Sequence, residues 1–260
     1  MNNDQIKLHI INYYNSLAAW QPHKRDEHTA EQLTPLIRSS ASSEPAESAA
    51  RLFSGCGTPL AYAPMDGASK VVDLGCGAGR EVFLAAAMVK ERSVVVGIDV
   101  SPAMIECAMT AVSSFAQKDR SIIFRVADIE RYPMPRNFAD VVISNNTLHL
   151  CPDRMAAYRN IFRALKHDGT VVFSDIVQRE HTDMTGRNYL PIEDDHISAM
   201  ESLSFVEVEI VERHFFTPEQ AILIGKHIFP PITEELLDSF SPATDIYAIT
   251  LRAKRPPFSC

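Results

Sequence analysis

The chain has 260 residues, 46% hydrophobic and 22% charged, with 25 basic residues against 33 acidic ones. That balance supports a packed core and excludes a fibrous or wholly disordered protein, and the length suits one large α/β domain with at most an added lobe. The net charge of −8 repels phosphate backbones and anionic lipid, so neither nucleic acid nor a membrane surface is expected as a partner.

Residues 1–20 carry an apolar rhythm at Ile6, Ile10, Ile11, Tyr14 and Leu17, which predicts a helix. The start, MNNDQIKLHIINYY, lacks a basic region followed by a long apolar core, and no stretch reaches the length of a membrane span. A soluble, cytoplasmic protein is expected. Residues 21–50 are polar and read either as a solvated linker or as a lid, so 1–50 form an N-terminal helical arm.

Short apolar runs follow at 71–74, 93–100, 122–126, 141–144 and 170–177. Continuous runs of this length suit strands buried on both faces. Between them lie segments of helical period. In one, Ser101 caps, Pro102 takes the first helical position, and Met104, Ile105, Ala108, Val112 and Phe115 share a face. Another presents Met155, Tyr158, Ile161, Phe162 and Leu165, and its expected stop is the basic pair Lys166 and His167 with Gly169 as C′ glycine. Past residue 177 the chain turns polar and irregular. Then 205–211 (FVEVEIV) and 246–253 (IYAITLRA) both alternate, as an antiparallel pair at a sheet edge, with a helix-like segment, PEQAILIGKHI, between them. The predicted fold is α/β: a doubly wound, mostly parallel seven-stranded sheet with an antiparallel edge pair. Residues 51–177 form its core, and 178–260 complete the sheet on the substrate side.

The segment VVDLGCGAGRE at 71–81 is the most informative. A strand runs into Asp73, glycines fall at Gly75, Gly77 and Gly79, and a helix opens at Glu81. The nicotinamide fingerprint reads GxGxxG and brings a pyrophosphate to a helix N-terminus. Here the spacing is GxGxG, and the acid before it would repel a pyrophosphate, which disfavours nicotinamide-dependent reduction. Asp99 ends the next strand, 20 residues past Gly79, where a carboxylate can accept from both ribose hydroxyls. Asp128 ends the third strand, where it can accept from an adenine amino group. Three acids at strand ends imply an adenine nucleoside with a cationic tail, and S-adenosylmethionine (SAM) has that description.

DLGCGAG, GIDVSPAMI, VADIE and DVVISNNTLHL, in this order over 70–177, resemble the class I SAM-dependent methyltransferases. The resemblance implies a Rossmann-like methyltransferase fold. It implies that Asp73, Gly75, Gly77 and Gly79 hold the methionine end of the cofactor and Asp99 the ribose. Asp128 and Ile129 would frame the adenine, and the Asn145 segment would close the site near the sulfonium.

RLFSGCGTPL at 51–60, Tyr13 and Tyr14, ISNNTLHLCPD at 143–153 and ALKHDGTVVFSDIV at 164–177 look like the arsenite methyltransferases, which bind trivalent arsenic through several cysteine thiolates. Cys56 matches one of these. A second falls at Asn146, a third has no counterpart in 178–210, and Cys151 lies five residues past the lost position. A different small-molecule acceptor is therefore expected. The five cysteines, Cys56, Cys76, Cys107, Cys151 and Cys260, form no CxxC pair, so neither a disulfide framework nor a metal site is expected.

The candidate catalytic residues are His149, as general base or as a structural histidine, and Cys56, as a thiolate or as a small buried residue. The run Glu193, Asp194, Asp195 and His196 reads either as a solvated face or as a second source of a base. Tyr13 and Tyr14 read as a cover for the sulfonium or as packing. Three activities stay open: methyl transfer to a small molecule, thiol, selenol or arsenic methylation through Cys56, and SAM binding without catalysis as a sensor or partner.

Overall fold

The computed structural model describes residues 2–19, 52, 55–113, 115, 119–180, 190–217 and 246–258. The expected lid at 21–50 and the helix-like segment 218–228 lie outside the described residues.

Seven strands form one sheet: β1 (Lys70–Leu74), β2 (Val94–Asp99), β3 (Ser121–Val126), β4 (Ala139–Asn145), β5 (Leu165–Gln178), β6 (Val206–Phe215) and β7 (Ile246–Lys254). Their spatial order is β3-β2-β1-β4-β5-β7-β6. The first five run parallel, and β7 is antiparallel to both β5 and β6. The chain steps outward from β1 to β3 and then returns to β4. Beyond the carboxyl ends of β1 and β4 the crossovers diverge, leaving the crevice in which open α/β sheets bind ligands.

The expected alternation of β7 does not hold. Residues 246–251 are all buried, because β7 is an interior strand with both faces covered. Leu251 and Ala253 pack with Met200 and Phe205 on one face, and Tyr247 and Ile249 pack with Val177 on the other. The edge strand is β6. Its Glu207 and Glu209 are exposed and Val208 and Ile210 half-buried, but Val206 is exposed too, and two register shifts interrupt its pairing.

Helices cover both faces: α1 (Asn3–Ala19), α2 (Pro59–Tyr62), α3 (Arg80–Met88), α4 (Pro102–Val112), α5 (Arg154–Ala164) and α6 (Glu193–Ser202). The two-residue period of the strands sorts the core. Val71, Val95, Val141 and Ile143 pack with Leu60, Val82 and Ile105 from α2, α3 and α4. Val72, Ile98, Val142 and Phe173 face the other way, onto Tyr158, Ile161 and Met200 from α5 and α6. Each fully buried side chain of this size contributes about 1.5–3 kcal/mol. Helix α4 starts as its sequence predicts, with Pro102 in the first turn and the Ser101 hydroxyl accepting from Met104 N at 3.2 Å.

Helix α5 stops earlier than expected, at Ala164, with an extended residue following. Gly169 is not its cap. Pairing of β4 with β5 jumps from Ala139–Leu165 to Val141–Thr170, so residues 166–169 bulge out of the strand. A Cβ on Gly169 would stand 2.8 Å from Lys166 O, so glycine is required there for close approach.

Candidate functional site

The glycine loop is pinned to β2. Gly75 N and Cys76 N both donate to Ile98 O, at 2.8 and 3.0 Å. Gly75 has φ +73°, and a Cβ on it would meet Thr147 Oγ1 at 2.0 Å, so both conformation and space demand glycine. Gly77 has φ +52° with nothing within 4 Å of its Cβ position, so its bare backbone faces open space. Gly77 N then donates to Asp99 Oδ2 at 2.8 Å, and Ser101 N donates to Asp99 Oδ1 at 2.8 Å. Asp99 thus ties the loop to the start of α4.

A cavity of about 980 Å³, part of it open to solvent, lies above these strand ends. Asp73, Gly75, Gly77, Asp99, Asp128, Ile129 and Asn145 all line it; Gly79 does not, and takes the left-handed N-cap position of α3 instead. The wall is acidic. Burial pushes the Asp73 carboxyl well above its usual range, and the charges of Glu81 and Asp99 push it further. Burial also raises Asp99, against backbone donors from Ser101, Gly77 and Val100. Glu81, in the first turn of α3, is raised by burial to about 7, with the Asn145 amide and Arg80 opposing.

At the Asp128 end the wall is neutralised. Lys7 Nζ from α1 pairs with Asp128 Oδ2 and, at 2.8 Å, with Glu130 Oε2. The Asn160 amide donates to Ile129 O at 2.9 Å and to Glu130 O at 3.1 Å, fixing this turn against α5. Helix α1 is latched at two further points, Asp4 on Arg131 and Asn15 Oδ1 accepting from Ser101 Oγ at 2.8 Å. Tyr14 reaches the cavity and packs edge-on against Tyr13, ring centroids 5.2 Å apart.

Asn145 lines the cavity as a clasp. Its Oδ1 accepts from Cys56 N at 2.8 Å and Gly57 N at 3.3 Å, and its Nδ2 donates to Gly57 O at 2.9 Å and Glu81 Oε1 at 3.2 Å. The Cys56 side chain is buried outside the lining. Burial pushes its thiol well above the ordinary value, and Asp175 and Glu81 add to the push. Cys151 lines the cavity, and its thiol is likewise raised by burial. His149 does not line it either: its ring turns inward, Nδ1 lying 2.5 Å from Asp175 Oδ1.

In the run at 193–196, Glu193, Asp195 and His196 have structural tasks and Asp194 is exposed. Asp195 Oδ2 accepts from Ile192 N at 3.0 Å at the start of α6, and Glu193 pairs with Arg213 at 2.6 Å. His196 is fully buried, with Nδ1 2.6 Å from Tyr158 OH. Among the described residues no group of three or more His, Cys, Asp or Glu side chains is placed to hold a metal ion, and no helix is long and apolar enough to cross a membrane.

Sequence reading missed Lys7, Glu81 and Asp175. Glu81 looks like an ordinary acid in a helix's first turn. Asp175 carried a usable signal, a lone acid within the apolar run VVFSDIV, which must find a partner when that strand is buried.

A methyltransferase domain model matches residues 65–228. An arsenite methyltransferase of Halobacterium salinarum is 38% identical over 125 residues, covering 48% of this chain and 31% of the relative. Aklanonic acid methyltransferase DauC of a Streptomyces species is 32% identical over 113 residues, 44% of this chain and 50% of the relative. The chain thus spans half or less of the length of these two curated relatives. An arsenic(III) S-adenosylmethionine methyltransferase structure from Chlamydomonas reinhardtii superposes with a TM-score of 0.62 at 23% identity, covering 89% of this chain and 75% of that one, a likeness of fold. With the family model spanning most of the sheet, the chain belongs to the methyltransferase domain family.

Proposed function

We propose that this protein is a soluble, cytoplasmic SAM-dependent methyltransferase acting on a small-molecule acceptor, with no nucleic-acid or membrane partner. The observation that carries the reading is the convergence of Asp73, Asp99 and Asp128, with Glu81, on one cavity beside a bare backbone bend. The fit to the cofactor rests on the same wall. The Asp73, Asp99 and Glu81 carboxyls are crowded and raised by burial, Gly77 leaves open space, and a cation there would relieve their repulsion. When bound, SAM supplies an electrophilic methyl on a sulfonium that leaves as a neutral thioether.

The chain's own residues then bind, orient and shield. Asp73 and the glycine loop would hold the methionine end, Asp99 the ribose, and Asp128 with Ile129 the adenine end. Asn145 fixes the Cys56–Gly57 backbone beside the site. Residues 1–50 act as arm and lid, 51–177 as the cofactor core and 178–260 as the acceptor side. His149, held on Asp175 with its ring turned from the cavity, takes the structural role and not that of a base. A thiolate role for Cys56 has less support, because its thiol is buried and raised. The arsenite relative keeps that second reading open to test: unchanged turnover in Cys56→Ser removes it. Equal affinity for SAM and its demethylated product, with no turnover on any acceptor, would favour the sensor role instead.

The test combines calorimetric titration with SAM and incubation with methyl-labelled SAM and a small-metabolite extract. Saturable binding and a labelled small product are expected. Absence of both would overturn the reading.

A further inference from the structure

Glu81 opens α3 in the wall of the cavity, only 4% exposed. Its Oε1 accepts from the Asn145 amide at 3.2 Å, while Oε2 is buried with no hydrogen-bond partner among the described residues. A buried carboxylate oxygen without a donor is costly, and it calls for a proton, a water or a ligand. The charged and titratable groups facing it are Asp73 from β1, Arg80 from α3 itself and the Cys56 thiol from the segment clasped by Asn145, and β4 contributes the neutral Asn145 amide. Asp99 on β2 adds its charge through Asp73. Three carboxylates thus stand against one guanidinium, which is an arrangement suited to a cation with several donors. An ammonium has three.

We propose that Glu81 is a second seat, beside Asp73, for the α-ammonium of the cofactor's amino-acid tail, and that it gives up a proton to solvent when that ammonium binds. The proposal rests on the SAM reading above and adds to it a residue and a pH response. The direction follows from electrostatics. Without ligand the Glu81 carboxyl is pushed up to about 7, so near neutrality part of the population is protonated. An adjacent ammonium favours the charged form and lowers that value. Affinity therefore rises as pH rises towards 7, by up to about tenfold per pH unit well below it, and levels above.

The experiment is calorimetric titration of the full chain with S-adenosylhomocysteine from pH 5.5 to 7.5, in two buffers of different ionisation enthalpy. Methylthioadenosine, which keeps the nucleoside and lacks the ammonium, is titrated in parallel. For the wild type, S-adenosylhomocysteine is expected to bind more tightly as pH rises and to release close to one proton at pH 6, whereas methylthioadenosine shows neither response. Glu81→Gln, checked for folding by its melting curve, is expected to bind weakly with both responses lost. A wild type that binds S-adenosylhomocysteine with no proton release overturns the proposal while leaving the methyltransferase reading intact. So does equal release with methylthioadenosine, a comparison that needs no variant, or full release retained in Glu81→Gln. Failure to bind either ligand at any pH defeats the reading beneath it.

Discussion

His149 and Asp175 form a buried pair, ring Nδ1 2.5 Å from carboxylate Oδ1, with side chains 1% and 0% exposed. On the far side of the carboxylate, His196 Nε2 stands 4.0 Å from Oδ2, and Tyr158 OH holds the other nitrogen of that ring. Burial depresses His196 to about 4, so it is neutral near physiological pH. A carboxylate can only accept, which fixes a proton on His149 Nδ1. Asp175 thus holds the His149 ring inside the core. Asp175→Asn weakens that buried pair and is expected to cost about 1–3 kcal/mol of stability in denaturant melts. Cofactor affinity in the same variant, measured by calorimetry, should change little.

Stability without ligand should fall as pH rises from about 6.5 to 8; between about 4 and 6.5 His196, depressed to about 4, opposes the fall. Glu81 has a folded-state value of about 7 against 4.5 for the ordinary carboxyl, so the folded protein binds more protons across that interval. Its contribution is complete below the unfolded value and is lost as pH passes about 7. The loss is on the order of 3 kcal/mol at most, and Glu81→Gln should flatten the dependence in denaturant melts. Asp140 and Glu193 are lowered by their partners, so they act in the acid range below this interval.

Helix α1 is held over the cavity by Lys7 on Asp128 and Glu130. Burial draws the Lys7 ammonium down, and its two carboxylate partners more than offset this. Lys7→Ala strands Glu130 and should cost about 1–3 kcal/mol. Hydrogen exchange of amides 3–19 should quicken in that variant while the central strands keep their protection.

The cysteines should differ in reactivity. Cys56, Cys76 and Cys151 are buried, with thiols raised well above the ordinary value by burial, whereas Cys107 is half-buried and less strongly raised. Alkylation of the native protein near pH 7.5, followed by peptide mass analysis, should modify Cys107 before these three.

The two loop glycines share left-handed strain and differ in what a side chain would meet. Gly75→Ala brings a methyl into Thr147 at left-handed φ and should destabilise the fold by more than about 1–2 kcal/mol. Gly77→Val meets no atom within 4 Å, so its branched side chain extends into the cavity. It should weaken cofactor binding at least tenfold, and valine at φ +52° should lower the melting temperature as well.

The strand pattern, the helix start at Ser101 and Pro102, and the loop with Asp73, Asp99 and Asp128 were legible because each is a local matter of period, cap or spacing. The course of β7, the end of α5 and the roles of Glu81, Asn145 and His149 were not. Alternation in IYAITLRA resembles an edge strand until a second strand covers it. Gly169 resembles a helix cap until β4 and β5 fall out of register. His149 resembles a free base until Asp175, 26 residues on, turns its ring away from the cavity. Sequence determines which backbone conformations are cheap and which faces must be buried. Which charges meet at 3 Å depends on how strands distant in the chain align, and so only the folded sheet could decide that Glu81 is buried beside Asp73 and that Lys7 covers Asp128.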